Sequence, residues 1–491
     1  MLKLLLLIPL IGCLPLIAIN TNSASGADSQ ASKSTNSLMR TIALSFSLLN
    51  LLVSIVVWLQ FNSMSTEYQF VEEITYISSY HFNIGIDGIS LYFVLLTTFI
   101  TPICLLSNWT DITTNLKYFL ISFLILETLQ LAVFMVLDLL LFYIFFESVL
   151  IPLFLIVGIW GASQNKIRAA FLLFLYTLGG SLFMLLAIMV IYYNVGSTDF
   201  KLISLLEISL ESQKILWLAF FLSFAVKTPL VPFHIWLFKA HAEAPLGGSI
   251  ILAAVILKLA TYGYLRVLIE ILPDATEYFS PLVQTIAIIT LIYSSLATIR
   301  QIDTKAYIAY SSIAHMAVVL LGLFSNTLQG IEGALLLSLA HGFVSPALFI
   351  CVGGILYHRY HTRLISYYRG MVLVMPVFTI LFFCFTLFNA AVPLSLNWAG
   401  EFLSLTGIFQ KSPFIGALGA SGIVLSAIYS IWLFNRISYG EFSKHLTPTK
   451  DISRREFMLL LPLLIATVLL GIYPNVVLDT LHVTVSSLLY N

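Results

Sequence analysis

Long apolar stretches recur along the whole chain, and they constrain its fold more than any other feature of the sequence. Such stretches lie near residues 1–20, 41–60, 89–107, 117–136, 139–160, 167–193, 215–238, 247–271, 279–299, 307–325, 329–357, 372–408, 414–435 and 457–478. They do not alternate as the strands of a membrane barrel do. Because a helix crosses a bilayer with about 20 mostly apolar residues, the sequence predicts an all-α polytopic membrane protein with about 14 transmembrane helices. No strands are predicted.

The composition excludes a water-soluble protein. Of the 491 residues, 59% are hydrophobic and 9% are charged, whereas soluble domains contain about 25% charged residues. The four cysteines have no C-x-x-C or histidine–cysteine ligand spacing, and no glycine-rich phosphate loop is present. We therefore expect no redox centre, metal site or nucleotide hydrolysis in this chain. The 23 basic and 23 acidic residues balance, which gives no indication of a nucleic-acid partner.

The N-terminal region has two interpretations. A short apolar run after Lys3 is typical both of a signal peptide and of a first membrane helix. We predict a retained helix, because signal peptides usually precede chains that are exported to water. The segment 21–40 is rich in Ser, Asn and Ala, which predicts a flexible polar loop.

Basic residues are distributed unevenly between the predicted loops. Loops that follow odd-numbered stretches contain 16 Lys and Arg residues, and loops that follow even-numbered stretches contain 3. Short loops rich in Lys and Arg stay on the cytoplasmic side of a membrane. The odd-numbered loops are therefore predicted to face the cytoplasm or the mitochondrial matrix, and both termini are predicted on the opposite side.

Seven ionisable residues fall inside the apolar stretches: Glu127, Glu147, Lys227, Lys258, His315, His341 and Glu401. A lysine in mid-bilayer costs about 3 kcal/mol on insertion scales, so such residues face a protein interior or a hydrated path. A single residue of this kind is explained by a buried ion pair or, for a histidine, by a hydrogen bond to a carbonyl. The whole set favours a proton or cation path, because carboxylates, amines and imidazoles all bind and release protons.

Lys258 lies near the centre of its stretch, so it is the candidate for a central proton carrier; a paired structural lysine is the alternative. Arg266 lies near the end of the same stretch and is expected to extend its charge to the membrane surface. Asp303 and Lys305 are predicted to form an exposed loop pair of little energetic consequence.

Two of the stretches contain helix-breaking residues. Pro229 and Pro232 follow Lys227 closely in the seventh stretch, and Pro393 precedes Glu401 in the long twelfth stretch. Non-helical backbone at membrane depth is tolerated only inside protein or beside water, and transporters build ion sites at such breaks. The five-helix separation of the two breaks predicts two inverted five-helix repeats. Ordinary proline kinks are the alternative.

The run from Lys227 to Pro245, KTPLVPFHIWLFKAHAEAP, resembles the signature of the antiporter-like subunits of respiratory NADH:ubiquinone oxidoreductase. Its AHAEAP ending fits the subunit 4 type more closely than types 2 and 5. A departure is Phe238, where a proline is common. Shorter matches are FFES at 145–148, YSSIAHM at 310–316, AHG at 340–342 and AGE at 399–401.

The resemblance implies a role for each candidate residue. Glu147 pairs with Lys227, Lys258 is the central proton carrier, and Glu401 is the exit-side or linking site. The histidines of the hydrophilic axis are His234, His315 and His341. The resemblance also implies that NADH, FMN, iron–sulfur clusters and ubiquinone are bound by other subunits, with no cofactor in this chain.

The resemblance divides the chain and implies its surroundings. The expected parts are N-terminal helices with a polar loop (1–110), a first five-helix repeat (111–271), a second repeat (272–440) and a C-terminal loop and helix (441–491). The expected partners are other membrane-arm subunits, especially antiporter-like subunits 2 and 5, and lipids. The expected location is the mitochondrial inner membrane, because very hydrophobic chains are difficult to import and an organelle-encoded copy avoids import; a bacterial inner membrane is the alternative.

Two other functions remain open. A subunit of a multisubunit sodium/proton antiporter predicts sodium-dependent exchange without NADH-linked activity. A membrane scaffold with buried structural ion pairs predicts that neutralising Glu147 or Lys258 damages assembly and leaves turnover unchanged.

Overall fold

A computed structural model describes residues 1–19, 30–77, 80–205 and 208–490. The α-helices are α1 (Leu2–Ala18), α2 (Gln30–Gln60), α3 (Gly88–Ser107), α4 (Leu116–Met135), α5 (Leu139–Ser148), α6 (Leu150–Trp160), α7 (Lys166–Val195), α8 (Phe200–Ser204), α9 (Leu210–Lys227), α10 (Ile235–Glu243), α11 (Leu246–Ile251), α12 (Leu257–Gly263), α13 (Pro273–Ile299), α14 (Thr304–Leu323), α15 (Leu328–Phe349), α16 (Tyr357–Tyr360), α17 (Pro376–Asn389), α18 (Leu396–Lys411), α19 (Pro413–Ser438), α20 (Arg454–Ile472) and α21 (Asn475–Tyr490). The strands are β1 (Gln69–Ile77) and β2 (Tyr80–Ile86).

The predicted helical membrane fold is confirmed. Within the described ranges, 11 helical segments are long and apolar enough to cross a membrane. Three shorter apolar helices accompany them, at Leu2–Ala18, Pro376–Asn389 and Asn475–Leu489. The number of spanning helices and the inverted repeats remain predictions.

Two local predictions were wrong, and one helix was missed. The predicted absence of strands fails at 69–77 and 80–86, where β1 and β2 pair antiparallel, because apolar and β-branched residues alternate over stretches too short to cross a membrane. The predicted polar loop 21–40 falls partly on residues 21–29, which lie outside the described residues. From Gln30 onward that segment is helical, since residues 30–40 contain neither Gly nor Pro. The last helix, α21, was not predicted.

Both predicted helix breaks are present. The seventh predicted stretch becomes α9 and α10, with no α-helix between Lys227 and Ile235. The twelfth becomes α17 and α18, which end at Asn389 and begin again at Leu396. Each break is buried only in part: residues 228–230 and 390–391 are buried, whereas Pro232 and residues 392–394 are exposed on the surface of this chain.

The most deeply buried segments form the centre of the bundle. Leu246–Ile269, Thr304–Leu323 and Leu328–Tyr360 are buried along their whole apolar length. Glycines let the surrounding helices approach closely: a Cβ on Gly400 would lie 2.5 Å from the backbone nitrogen of Leu337 on α15. α18 is therefore held against α15 with little freedom to shift.

Two faces close the bundle, and each has its own polar contacts. On the hairpin face, defined by the strands β1 and β2, Arg266 is only 4% exposed and pairs with Asp87 and with Glu270. The expectation that Arg266 extends to the membrane surface is therefore wrong, because two carboxylates neutralise it inside the protein. The opposite face, here called the basic face, is formed by the odd-numbered predicted loops with Asp111, His358 and Arg363.

Candidate functional site

Glu147 and Lys227 lie at the ends of two helices that meet inside the bundle. Lys227 is buried, and its Nζ donates a hydrogen bond to the carbonyl oxygen of Phe146 at 2.8 Å. The same ammonium lies 3.2 Å from the centroid of the Phe146 ring. The Glu147 carboxylate oxygens have no hydrogen-bond partner among the described residues. The two residues are therefore neighbours, but the predicted ion pair is not formed in this structure.

The helix break keeps Lys227 in place. The hydroxyl of Thr228 donates to the carbonyl of Phe224 at 2.6 Å, and the indole nitrogen of Trp236 donates to the carbonyl of Val226 at 2.9 Å. The Phe224 carbonyl also accepts from the backbone N–H of Thr228, whereas the indole satisfies a carbonyl that the end of α9 leaves without a helical partner. A cation at the C-terminal end of a helix is further stabilised by the helix dipole.

Lys258 lies at the centre of the site. It is fully buried on α12, between the π-helical turns Leu252–Ile256 and Tyr264–Ile269. Its Nζ donates to the carbonyl oxygen of Ala253 at 2.6 Å and lies 2.7 Å from Nδ1 of His341. Since a backbone carbonyl only accepts, the contact with His341 is the one across which a proton can be exchanged.

His341 continues toward a second pair. The ring centroids of His341 and His315 are 6.0 Å apart. Nδ1 of His315 lies 2.9 Å from Oε1 of Glu401, and Nε2 lies 3.1 Å from Oδ1 of Asn389. Both neighbours present oxygen atoms, so this arrangement fits a doubly protonated imidazole beside a carboxylate or a protonated Glu401 that donates to the ring. In either form the pair holds one proton.

His234 is not joined to the other candidate residues. It immediately precedes α10, and its ring contacts those of Tyr293 and Tyr310 at centroid distances of 5.4 and 6.1 Å. Among the described residues, no hydrogen bond links it to Lys227 or Lys258. Its role in the hydrophilic axis stays a prediction.

Sequence reasoning missed two buried basic residues, His241 and Lys305. His241 is fully buried on α10, and Lys305 is 3% exposed at the start of α14. The expectation of an exposed pair between Asp303 and Lys305 is therefore wrong for the lysine. The signal was available for His241, which lies two residues before Glu243 in the motif at 227–245. Within the described ranges, no cluster of three or more His, Cys, Asp or Glu residues could hold a metal ion.

The fold and the buried series of lysines, histidines and glutamates define a membrane subunit of the antiporter-like class. The family model described as NADH:quinone oxidoreductase/Mrp antiporter, TM, matches residues 136–428. A curated relative, NADH-ubiquinone oxidoreductase chain 4 of Mycosarcoma maydis, is 67% identical over 100% of both chains. The protein of the same name from Marchantia polymorpha is 48% identical over 99% of this chain and 96% of that one.

Solved structures agree with this similarity. A chain of respiratory complex I from Thermus thermophilus with bound NADH has a TM-score of 0.88 at 27% identity, covering 100% of this chain and 99% of that one. A chain of the Mrp complex from Dietzia sp. DQ12-45-1b has a TM-score of 0.85 at 16% identity, covering 100% and 98%, which shows the fold alone. The chain belongs to the NADH-ubiquinone oxidoreductase chain 4 family, within the NADH:quinone oxidoreductase/Mrp antiporter transmembrane family.

The comparisons confirm the predicted resemblance. They also confirm that the chain is a multi-pass inner-membrane protein. The eukaryotic relatives support a mitochondrial location. The family model begins at residue 136 and ends at 428, so it includes every candidate site residue. The roles of those residues are not decided by the match and are argued below.

Proposed function

We propose that this chain is a proton-translocating membrane-arm subunit of NADH:ubiquinone oxidoreductase, and that buried side chains carry the protons. Membership in the chain 4 family supports the assignment to this enzyme, and the contacts between buried side chains support the proton path. The residues proposed for proton transfer are Glu147, Lys227, Lys258, His341, His315 and Glu401, with His234 at the side of the axis. The observation that carries the proposal is the 2.7 Å contact between Lys258 and His341 in the centre of the bundle.

The proton moves from the centre toward the second break. A protonated Lys258 transfers its proton to Nδ1 of His341 and stays bound to the Ala253 carbonyl as a neutral amine. The 6.0 Å between the rings of His341 and His315 is bridged by one water molecule or by ring rotation. The His315–Glu401 pair releases the proton that it already holds beside the gap between α17 and α18, and it takes up the new proton in its place.

The energy for this movement is electrostatic. We propose that quinone reduction in the complex changes the charge state of the neighbouring subunit, which alters the Glu147–Lys227 pairing. When the attraction of Glu147 for Lys227 weakens, the charge of Lys227 is no longer compensated and acts on that of Lys258. Repulsion between two like charges increases as they approach, so a shift of Lys227 toward Lys258 favours release of the Lys258 proton.

The other components of the reaction are assigned to other chains. NADH, FMN, iron–sulfur clusters and ubiquinone are proposed to bind elsewhere in the complex, with no cofactor in this subunit. Antiporter-like subunits 2 and 5 and lipids are its proposed neighbours in the mitochondrial inner membrane. Within the chain, residues 111–271 and 272–440 are the two proposed five-helix repeats, flanked by 1–110 and 441–491.

A sodium/proton antiporter subunit is the second candidate function, and the similarity to the Mrp complex chain favours it. That similarity is 16% in identity, whereas the relative from Mycosarcoma maydis is 67% identical. Sodium-dependent exchange without NADH-linked activity would support this candidate. The scaffold function is tested by the same variants, because it predicts loss of assembly and unchanged turnover.

The experiment is the substitution Lys258→Met in the intact complex, with Lys444→Met as the matched control at an exposed loop lysine. Native gel separation with an NADH-activity stain measures assembly, and membrane vesicles measure protons pumped per electron. We expect assembled Lys258→Met complex with a lower proton-to-electron ratio and slower NADH oxidation, and an unchanged control. A normal proton-to-electron ratio in the assembled Lys258→Met complex would refute the role of Lys258 as the central proton carrier.

A further inference from the structure

Asn389 is the last residue of α17 and lies beside His315 at the second helix break. Its side chain is only 5% exposed, so both of its polar atoms need partners inside the protein. The amide nitrogen Nδ2 donates to Oγ of Ser430 on α19 at 3.0 Å. The amide oxygen Oδ1 lies 3.1 Å from Nε2 of His315 on α14. The asparagine therefore bridges α19 and α14 at the point where α17 ends.

Tyr429 places a second oxygen atom beside the same ring nitrogen. Its side chain is fully buried, and its hydroxyl lies 3.4 Å from Nε2 of His315. The hydroxyl of Tyr307 on α14 donates to the backbone carbonyl of Tyr429 at 2.6 Å, which fastens α19 to α14. Because Tyr429 and Ser430 are consecutive, the same turn of α19 contacts His315 directly and anchors Asn389.

The contact with Asn389 determines which nitrogen of His315 keeps its hydrogen atom. A neutral imidazole has one donor and one acceptor nitrogen, and an amide oxygen only accepts. Nε2 therefore carries a hydrogen atom whenever this contact is formed, and Nδ1 is the nitrogen that gains and loses a proton. Nδ1 lies 2.9 Å from Oε1 of Glu401. The ring is thus arranged to exchange its proton with the acid on α18.

The two contacts of His315 also oppose rotation of its ring. The ring centroid of His341 is 6.0 Å away. To turn a nitrogen toward His341, the ring of His315 has to give up its contacts with Asn389 and Glu401. A water molecule between the two rings requires neither loss. Of the two ways to cross this gap, the structure therefore favours the water molecule.

We propose that Asn389, anchored by Ser430, is a positioning residue for proton transfer: it keeps a hydrogen atom on Nε2 of His315, so that the ring exchanges protons through Nδ1 alone. Asn389 itself binds and releases no proton. Each proton that the His315–Glu401 pair takes up or releases therefore resides on Nδ1 or on the Glu401 carboxylate. This inference rests on the proposed function of that pair.

The opposite orientation of the Asn389 amide makes a different prediction. With its nitrogen toward His315, the amide would donate to Nε2, and the permanent hydrogen atom would lie on Nδ1. An aspartate carboxylate still accepts from Nε2 but cannot donate, whereas leucine has the same branched shape and does neither. Asn389→Asp and Asn389→Leu therefore separate an acceptor role from a donor role and from packing.

Both variants are introduced into the intact complex, with Asn194→Leu at an exposed position of α7 as the matched control. Assembly, protons pumped per electron and the pH profile of NADH oxidation are measured. We expect Asn389→Leu to assemble with a lower proton-to-electron ratio, and the control to be unchanged.

Asn389→Asp is expected to keep the normal ratio and to move the alkaline limb of the pH profile to higher pH, because an anion beside Nε2 stabilises the doubly protonated ring. The other titratable groups that face this ring are Glu401 on α18, His341 on α15 and Tyr429 on α19, and they are the same in both variants.

Three results would overturn the proposal. A normal ratio in assembled Asn389→Leu would assign a packing role to the side chain. Equal losses in the leucine and aspartate variants would show that the amide acts as a donor. An unshifted pH profile in Asn389→Asp would show that this side chain does not act on the ring nitrogen.

Ser430→Ala decides the question where the Asn389 variants do not assemble, because it removes the anchor of the amide and leaves Asn389 in place. We expect a decrease in the proton-to-electron ratio that is smaller than in Lys258→Met, and a normal ratio would overturn the proposal. Lys258→Met also separates the two proposals. Normal pumping in that variant refutes the proposed function, whereas reduced pumping there with normal pumping in Asn389→Leu refutes only the positioning role.

Discussion

Replacing His341 with glutamine tests whether the imidazole receives the proton of Lys258. The Lys258 Nζ and the His341 Nδ1 are 2.7 Å apart and buried. Two unit charges at this distance repel by about 6 kcal/mol at an effective dielectric constant near 20. Since about 1.4 kcal/mol corresponds to a factor of ten, double protonation is disfavoured by roughly 10⁴-fold. The pair therefore holds one proton at a time, and either residue can be its location.

Glutamine is the informative replacement because its amide oxygen still accepts a hydrogen bond from Lys258 but binds no proton. We expect the complex to assemble and proton transfer from Lys258 to slow by about 10²- to 10⁴-fold, the contribution of a positioned general base. Membrane vesicles provide the assay: NADH oxidation is followed by absorbance, and proton movement by a pH indicator. The ratio of the two rates decreases in His341→Gln.

His445→Gln is the matched control, because His445 lies in an exposed loop and the substitution is the same. It should leave both rates unchanged. An assembled His341→Gln complex with a normal proton-to-electron ratio would refute the argument, because a hydrogen bond alone would then suffice at this position.

Two further predictions concern residues that hold the helices of the site in position. Asp87→Asn removes one of the two carboxylates that pair with the buried Arg266, so we expect a loss of about 1.5–3 kcal/mol, seen as lower thermal stability of the subunit in the complex; unchanged stability would contradict this. In Gly400→Ala the new Cβ meets the backbone of α15, so Glu401 moves away from its histidine and the proton-to-electron ratio decreases. Gly179→Ala, with nothing within 4 Å, is its control, and equal ratios would contradict the packing argument.

The sequence was sufficient for the features that depend on a local pattern. Pro229 and Pro232 remove backbone donors within a few residues, so the break before α10 could be predicted from the run itself. The central position of Lys258 followed from its place in the apolar stretch 247–271. Both predictions needed only the spacing of residues along one helix.

Features that depend on distant residues could not be predicted in this way. His341 is 83 positions from Lys258, and no local pattern indicates which imidazole meets the amine. Lys305 was placed in an exposed loop because Asp303 precedes it, yet the glycine opposite its side chain allows it to be buried. Glu147 and Lys227 were predicted to pair from the resemblance, whereas the Phe146 carbonyl competes for the ammonium.

The position of Lys258 near the middle of Leu246–Ile269 makes the site sensitive to voltage. Moving one elementary charge across a whole membrane costs about 2.3 kcal/mol per 100 mV. A proton that reaches Lys258 has crossed about half of that field, so its binding changes by about 1.2 kcal/mol, or roughly sevenfold, for each 100 mV. The membrane potential that pumping creates therefore acts directly on the occupancy of this lysine. The membrane potential generated by pumping therefore opposes further proton transfer through Lys258.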